Sequence, residues 1–378
     1  MKPDSNSVVD PGAGPAAPVA PRLAEHIEAL VAAMTLEEKL GQLTLGTAEG
    51  AVTGPYLPED YLAEIRAGRL GNLLNLWGAE AVRAAQRVAV EETRLGIPLI
   101  IGFDVLHGHR TVFPIPLAEA CACDPALWEA TARMAAAEAA ADGVAMTFAP
   151  MLDIGRDPRW GRIAEGPGED PWLACRFAEA KVRGFQGSDL AAAGTLAATA
   201  KHFAAYGAVT AGRDYASVDI SERTLAEVYL PPFRAAIEAG AAGVMPAFVD
   251  LAGLPMTANA ALLRDRLRGE WGFAGVIVSD YGAVAELVVH GVAADPVEAA
   301  VLALKAGIDL DMMGRTYLRG LPAALERGLV AMDEIDAALR RVLALKARLG
   351  LFDDPCRGAG PSAGGEAGAA RALAREAA

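Results

Sequence analysis

The chain is short of the features that would place it in a membrane or on nucleic acid. No stretch of about 18 uncharged apolar residues occurs, so no membrane-spanning helix is expected. Positive charge is in deficit: 34 Lys and Arg against 48 Asp and Glu give a formal net charge of −14. That balance argues against nucleic acid or an anionic membrane surface as partner. Cysteine is scarce as well. The four present are Cys121, Cys123, Cys175 and Cys356, and the one-residue gap between Cys121 and Cys123 is neither a zinc pair nor a redox C-x-x-C. His107 and His109 have no acidic or sulfur partners at ligand spacing, so reduced thiols, no metal and no cofactor are expected. The N-terminal residues lack the apolar core of a secretory leader, which reads as cytoplasmic, or as periplasmic or secreted if a leader has been removed. What remains is a soluble protein with a small-molecule partner; a homo-oligomer is left open.

What is present is a regular alternation. A length of 378 residues suits one large domain, or one domain with tails. Residues 1–21 are a Pro/Ala/Gly tail expected to be disordered, followed by a helix from about Arg22. Thr35 then caps a second helix, with Glu38 as its capping-box partner. Strand-like runs follow at Gln42–Gly46, Asn72–Trp77, Pro98–Phe103, Ala145–Pro150, Ala198–Phe203, Gly243–Phe248, Val276–Asp280 and Ile308–Met312. Helical stretches fall between and after them: Ala79–Leu95, Pro125–Asp142, Pro171–Phe185, Ser221–Ala239, Asn259–Trp271, Asp295–Ala306, Leu318–Arg327 and Asp333–Leu349. Strands alternating with helices mean a parallel sheet with right-handed crossovers, an α/β fold. Eight of them point to closure into a (β/α)8 barrel, and no G-x-G-x-x-G after the first strand supports a Rossmann sheet. Residues 22–355 therefore form the barrel. Residues 356–378 are a Gly-rich linker and a helix, Ala370–Ala378, that has nothing to pack on unless a further domain follows.

Polar side chains gather where strands should end. Asp280 closes the apolar run GVIVSDYGA, a poor place for a carboxylate in terms of stability and a good one for chemistry, because barrel active sites are built on that rim. An Asp capping the next helix is the structural alternative. Asp104 follows the third strand, and Arg162 and Glu165 lie in the long loop DPRWGRIAEGPGEDP after the fourth. Lys201 and His202 interrupt the fifth strand, an expensive pair to bury unless hydrogen-bonded or facing a wet pocket. Two carboxylates, two cations and an imidazole suit a polyhydroxylated ligand. Met245, on the sixth strand, is read either as core or as a subsite wall. Glu165, Glu169 and Asp170 are expected to hold their own loop, and Trp77 and Trp160 to sit in the core, with a sugar platform as the alternative for each tryptophan.

The strings FDVLHG (103–108), DPRWGRIAEGPGEDP (157–171), KHFAAYGAV (201–209) and GVIVSDYGA (275–283) together closely resemble glycoside hydrolase family 3, the β-glucosidase type. The resemblance spans about Leu30 to Pro355. It implies a retaining, exo-acting β-glycosidase on a TIM-like barrel, with a small-molecule β-glucoside or oligosaccharide as substrate. It also implies an α/β sandwich domain to follow, of which Ala370–Ala378 resembles the opening. By motif, Asp280 matches the nucleophile and Asp104 the carboxylate that grips sugar hydroxyls. Arg162, Lys201 and His202 match further hydroxyl-binding groups, and nearby Arg and Lys are expected to keep Asp280 and Asp104 ionised at neutral pH.

Two departures stand out. Pro246–Asp250 reads PAFVD where family members often carry a Tyr- or Asn-containing stretch. The acid/base His of the family's single-domain β-N-acetylglucosaminidases is missing, with Tyr206 in the first His position and no His in Asp214-Tyr215-Ala216. An N-acetylhexosaminidase, its phosphorylase variant, or a sugar-binding barrel without turnover are the alternatives. For the proton donor, Glu286 is the best candidate inside the chain, six residues beyond Asp280 in SDYGAVAEL, on a segment read either as a mobile loop over the mouth or as the first turn of a helix running toward His290. A Glu from a following domain, or Glu165 or Glu169, are the others.

Overall fold

A computed structural model describes residues 20–48, 60–360 and 366–378. Eight short parallel strands run through it: β1 (Thr44–Thr47), β2 (Asn72–Leu74), β3 (Ile100–Phe103), β4 (Met146–Thr147), β5 (Ala197–Phe203), β6 (Gly243–Pro246), β7 (Val276–Ile277) and β8 (Asp311–Met312). Each pairs with its neighbour in sequence, and β1 also pairs with β8. The ring closes where Val278 bridges Leu310 in parallel, with the Ser279 N–H donating to the Leu310 carbonyl at 2.8 Å. This is the expected TIM-like (β/α)8 barrel. Every strand sits inside the expected run except β1 and β5, which are offset by one residue at an end.

The strands are buried on both faces, as a parallel sheet wrapped by helices requires. Helix starts follow their capping chemistry. Asp124, Asp170 and Asp295 accept backbone N–H bonds ahead of Pro125–Ala141, Pro171–Gln186 and Pro296–Ala306, each with proline in its first turn. Thr35 and Glu38 form the expected capping box. Two expected helices are irregular. Ser221–Ala239 divides into Glu222–Thr224, a wider turn over Leu225–Tyr229 and Pro231–Glu238, because Pro231 and Pro232 offer no N–H to the preceding carbonyls. Ala261–Glu270 is wound with i→i+5 bonds, such as Trp271 N–H to the Arg266 carbonyl at 2.9 Å.

Three features were not foreseen. A hairpin, Asp250–Leu251 with Leu254–Pro255, follows β6 and is bridged by Val218. Buried Asp309 pins the β7–β8 closure: it accepts from Ile277 N at 2.7 Å, Arg268 Nη2 at 2.5 Å and Arg341 Nε at 2.7 Å. The final helix, Glu366–Ala377, lies against Pro125–Ala141 with Ala370 and Ala377 buried, so it does find a surface on this barrel. The expected disordered tail falls mostly on residues 1–19, outside the described residues; Pro21 already starts the first helix, Pro21–Ala33. Part of the Gly-rich linker, residues 361–365, also lies outside them. Among the described residues no helix is long and apolar enough to cross a membrane.

Candidate active site

The C-terminal ends of the strands surround an open cavity of about 710 Å³, a size typical of small-molecule sites. Asp280, Asp104, Arg162, Lys201, His202, Met245 and Glu286 all line it. These seven residues, supplied by five different strand ends, therefore reach one cavity.

Consecutive strand residues normally point to opposite faces. Lys201 and His202 both face the cavity because the β5–β6 register shifts between Lys201 and Phe203, a bulge that turns the strand. The Lys201 Nζ lies 2.7 Å from Oδ1 of Asp104. Asp104 is half open to solvent, whereas Lys201 is buried.

Asp280 is the most confined carboxylate of the set. Its Oδ1 accepts the Tyr281 N–H at 2.8 Å, while Oδ2 is buried and has no hydrogen-bond partner. The nearest cationic-type contact to Oδ2 is His202 Nε2 at 3.6 Å, beyond hydrogen-bond range. The state of His202 follows from its other contacts. Arg162 Nη2 sits 3.1 Å from Nε2 and only donates, so Nε2 accepts. The ring proton is then on Nδ1, donating to Asp153 Oδ2 at 2.8 Å. His202 is neutral, in line with a pKa pushed well below the imidazole range by burial and by the charges of Arg162 and Lys201. Nε2 thus offers Asp280 no proton, and the buried Oδ2 is left without a hydrogen-bond partner.

Burial pushes the Asp280 pKa up to about 6; Lys201, the Tyr281 N–H and Arg162 pull it down without cancelling that effect. Lys201 and Arg162 thus act in the expected direction, against a larger effect of burial. The carboxylate is still mainly ionised at neutral pH, with desolvation as the dominant influence. Glu286 lies in the helix Ala283–Val289 rather than on a mobile loop. It is half-buried on the cavity wall, and burial raises its pKa.

Arg162 is a shared anchor. Its Nε and Nη2 donate to Glu165 at 2.8 and 3.0 Å, besides the contact to His202. Burial opposes its charge, and Glu165 more than offsets this. Glu165 thereby holds its own loop, as expected, although it also reaches the cavity wall. Asp170 caps a helix and Glu169 is exposed. Met245 belongs to the buried core and also forms part of the cavity lining. Trp160 is wholly buried and donates Nε1–H to Asp214 at 3.0 Å. Trp77 departs from its expected place in the core: it is 56% exposed and packs edge-on to His109.

Sequence reasoning missed Asp153. It is fully buried, accepts both the backbone N–H and Nδ1–H of His202, and burial pushes its pKa up to about 7. The available signal was a lone acid in the apolar run MTFAPMLDI after β4. Tyr215 and Phe248 were also missed as cavity residues; they come from the loop after β5 and from the stretch leading into the hairpin. All four cysteines are free thiols, and among the described residues no group of His, Cys, Asp or Glu is arranged to hold a metal ion.

Residues 35–345 match the profile of the glycosyl hydrolase family 3 N-terminal domain. The periplasmic beta-glucosidase of Salmonella typhimurium is 44% identical over 333 residues, covering 88% of this chain and 43% of that protein. A putative beta-xylosidase of Formosa agariphila is 35% identical over 354 residues, covering 88% and 46%. Among solved structures, the beta-glucosidase of Listeria innocua in complex with isofagomine superposes with a TM-score of 0.87 at 43% identity, covering 93% of this chain and 50% of that one. The same enzyme in complex with glucose gives a TM-score of 0.86. The chain spans about half the length of these relatives.

Proposed function

The chain belongs to glycosyl hydrolase family 3 through its N-terminal domain, and from that premise we propose that it acts as a β-glycosidase releasing terminal β-D-glucose or a related sugar. The observation that carries the reading is Asp280, with one carboxylate oxygen unpartnered, in the lining of a cavity it shares with Asp104, Arg162, Lys201 and His202. The hydrolase activity fits the names of the relatives, glucosidases and xylosidases alike. The Salmonella protein's name supports the periplasmic or secreted alternative for location.

In the proposed mechanism the carboxylate of Asp280 attacks the anomeric carbon, the glycosidic C–O bond breaks, and Glu286 gives its proton to the departing oxygen. Water, deprotonated by Glu286, then displaces Asp280 and restores both carboxyl groups. An ionised Asp280 stabilises the oxocarbenium-like charge in both steps. The raised pKa of Glu286 suits a group that must hold a proton before the first step. Lys201 and Asp104 supply a paired donor and acceptor for sugar hydroxyls. Arg162 and Asp153 fix the His202 tautomer, so that its Nε2 accepts rather than protonates Asp280.

The test is covalent trapping. Incubation with a 2-deoxy-2-fluoro-β-glucoside should add one sugar mass to a peptide containing Asp280, and Asp280→Ala should abolish the label. Labelling at any other carboxylate overturns the assignment.

A further inference from the structure

Two buried carboxylates at the end of the helix Pro125–Ala141 have no part in the mechanism above. Glu138 is 6% exposed and Asp142, the capping residue, 2%. Each is badly placed for the helix itself, because a helix C-terminus already carries partial negative charge. Both accept hydrogen bonds from three consecutive residues of the loop that follows β3. Glu138 Oε2 accepts the backbone N–H of Arg110 at 2.9 Å and that of Thr111 at 2.8 Å, while Oε1 accepts the Thr111 hydroxyl at 2.7 Å. Asp142 Oδ2 accepts from His109 Nε2 at 2.7 Å and from Arg110 Nε at 3.0 Å, and Oδ1 accepts from Arg110 Nη2. Burial pushes the Asp142 pKa up, and the bonds from Arg110 and His109 more than offset it, so the carboxylate is ionised.

The same loop builds part of the cavity wall. Asp104 and Leu106, a few residues before His109, both line the cavity. The chain between them and the two acids is locked at each step. Val105 is buried and donates its N–H to Thr147 Oγ1 at 3.1 Å. Phe113 N–H donates to the His107 carbonyl at 2.9 Å, and His107 Nδ1 donates to the Phe113 carbonyl at 3.1 Å. Gly108 has φ +113°, and a Cβ there would collide with the Thr111 carbonyl oxygen, so the turn requires glycine. The His109 ring packs edge-on to Phe103, with centroids 5.6 Å apart, and Phe103 is the residue before Asp104. Asp104 is half open to solvent, so its aim is set by this backbone and by Lys201. A shift of residues 109–111 would reach it from both directions along the chain.

We propose that Glu138 and Asp142 are positioning residues for the sugar site, acting through residues 109–111 to hold Asp104 at the distance and angle that a sugar hydroxyl requires. The inference rests on the reading of the cavity as that of a glycosidase. Apolar packing would keep the loop close but let it slide, whereas directional bonds to two carboxylates fix its orientation as well. Such precision matters, because a displacement of about 1 Å can cost a hundredfold in rate.

Calorimetric binding of glucose and of 2-, 3-, 4- and 6-deoxyglucose to the whole chain tests this. Asp104→Asn identifies the hydroxyl that Asp104 grips, as the one whose removal from the sugar cancels the variant's loss. Glu138→Gln sets an amide N–H against the donors of the loop. It should weaken glucose binding roughly tenfold and leave the analogue lacking that hydroxyl within about twofold of the parent. Thr111→Val removes one bond to Glu138 and should repeat the pattern at smaller size; it carries the test alone if Glu138→Gln does not fold. A merely structural role would weaken all the sugars alike. That outcome, a loss cancelled by a different hydroxyl, or no loss in either variant overturns the positioning role. So does an Asp104→Asn variant that binds every sugar as the parent does. A parent that binds none of the sugars refutes the sugar site itself, and the positioning role with it, by a separate signature.

Discussion

Asp280→Asn should make the protein more stable, and by an amount that depends on pH. Burial raises the Asp280 pKa from 3.8 to about 6. In the unfolded chain the group titrates near its ordinary value, so between those two pH values the folded state binds more protons than the unfolded one. Stability then falls as pH rises through that window, because the slope of unfolding free energy with pH follows protons bound unfolded minus folded. A shift of about two units corresponds to roughly 3 kcal/mol at pH 7 and above. About half of that should be present at pH 5, and almost none below about pH 3. Asparagine keeps the Oδ1 acceptor for the Tyr281 N–H at 2.8 Å and removes the charge, so the variant should lack this pH-dependent loss. Urea unfolding followed by tryptophan fluorescence at pH 4, 5, 6 and 8 reads the difference directly. A variant whose advantage does not grow between pH 4 and 6, or that is less stable than the parent at pH 8, refutes the claim that desolvation dominates this carboxylate.

Three further outcomes follow from the same geometry. The acid limb of kcat/KM should have an apparent pKa of about 6, since free enzyme must carry an ionised Asp280; a limb near pH 4 would mean that the carboxylate is better solvated than the cavity implies. Asp104→Ala removes a carboxylate acceptor for sugar hydroxyls and leaves Lys201 without its partner. It should lower kcat/KM roughly a thousandfold, about 4 kcal/mol, and deoxy substrates should lose less in the variant than in the parent; identical responses to every deoxy sugar would remove the contact. Glu286→Gln should cost roughly a hundredfold or more on substrates with poor leaving groups and little on dinitrophenyl glycosides, which need no protonation; equal losses on both would move the proton donor elsewhere.

The sequence by itself determined the architecture and pointed to the candidate site residues. Alternating apolar runs and capped helices define a (β/α)8 barrel, because burial on both faces leaves strands uniformly apolar and helix starts are signalled locally by Asp124, Asp170, Asp295 and their prolines. Asp280, Asp104, Arg162, Lys201, His202 and Glu286 were legible because each breaks that pattern near a strand end or follows one closely. Tertiary structure alone decided how these groups influence one another. The His202 tautomer depends on Asp153 and Arg162, which approach it from a separate segment. The Asp280 pKa depends on how completely neighbouring elements exclude water, which no local string encodes. The Tyr215–Phe248 pair needs the hairpin and the loop after β5 to meet, residues that lie more than thirty positions apart. Even the last helix, legible as a helix, has its packing surface set by Pro125–Ala141, more than two hundred residues earlier. Local propensity follows from neighbours in the chain; charge state, tautomer and surface pairing follow from neighbours in space.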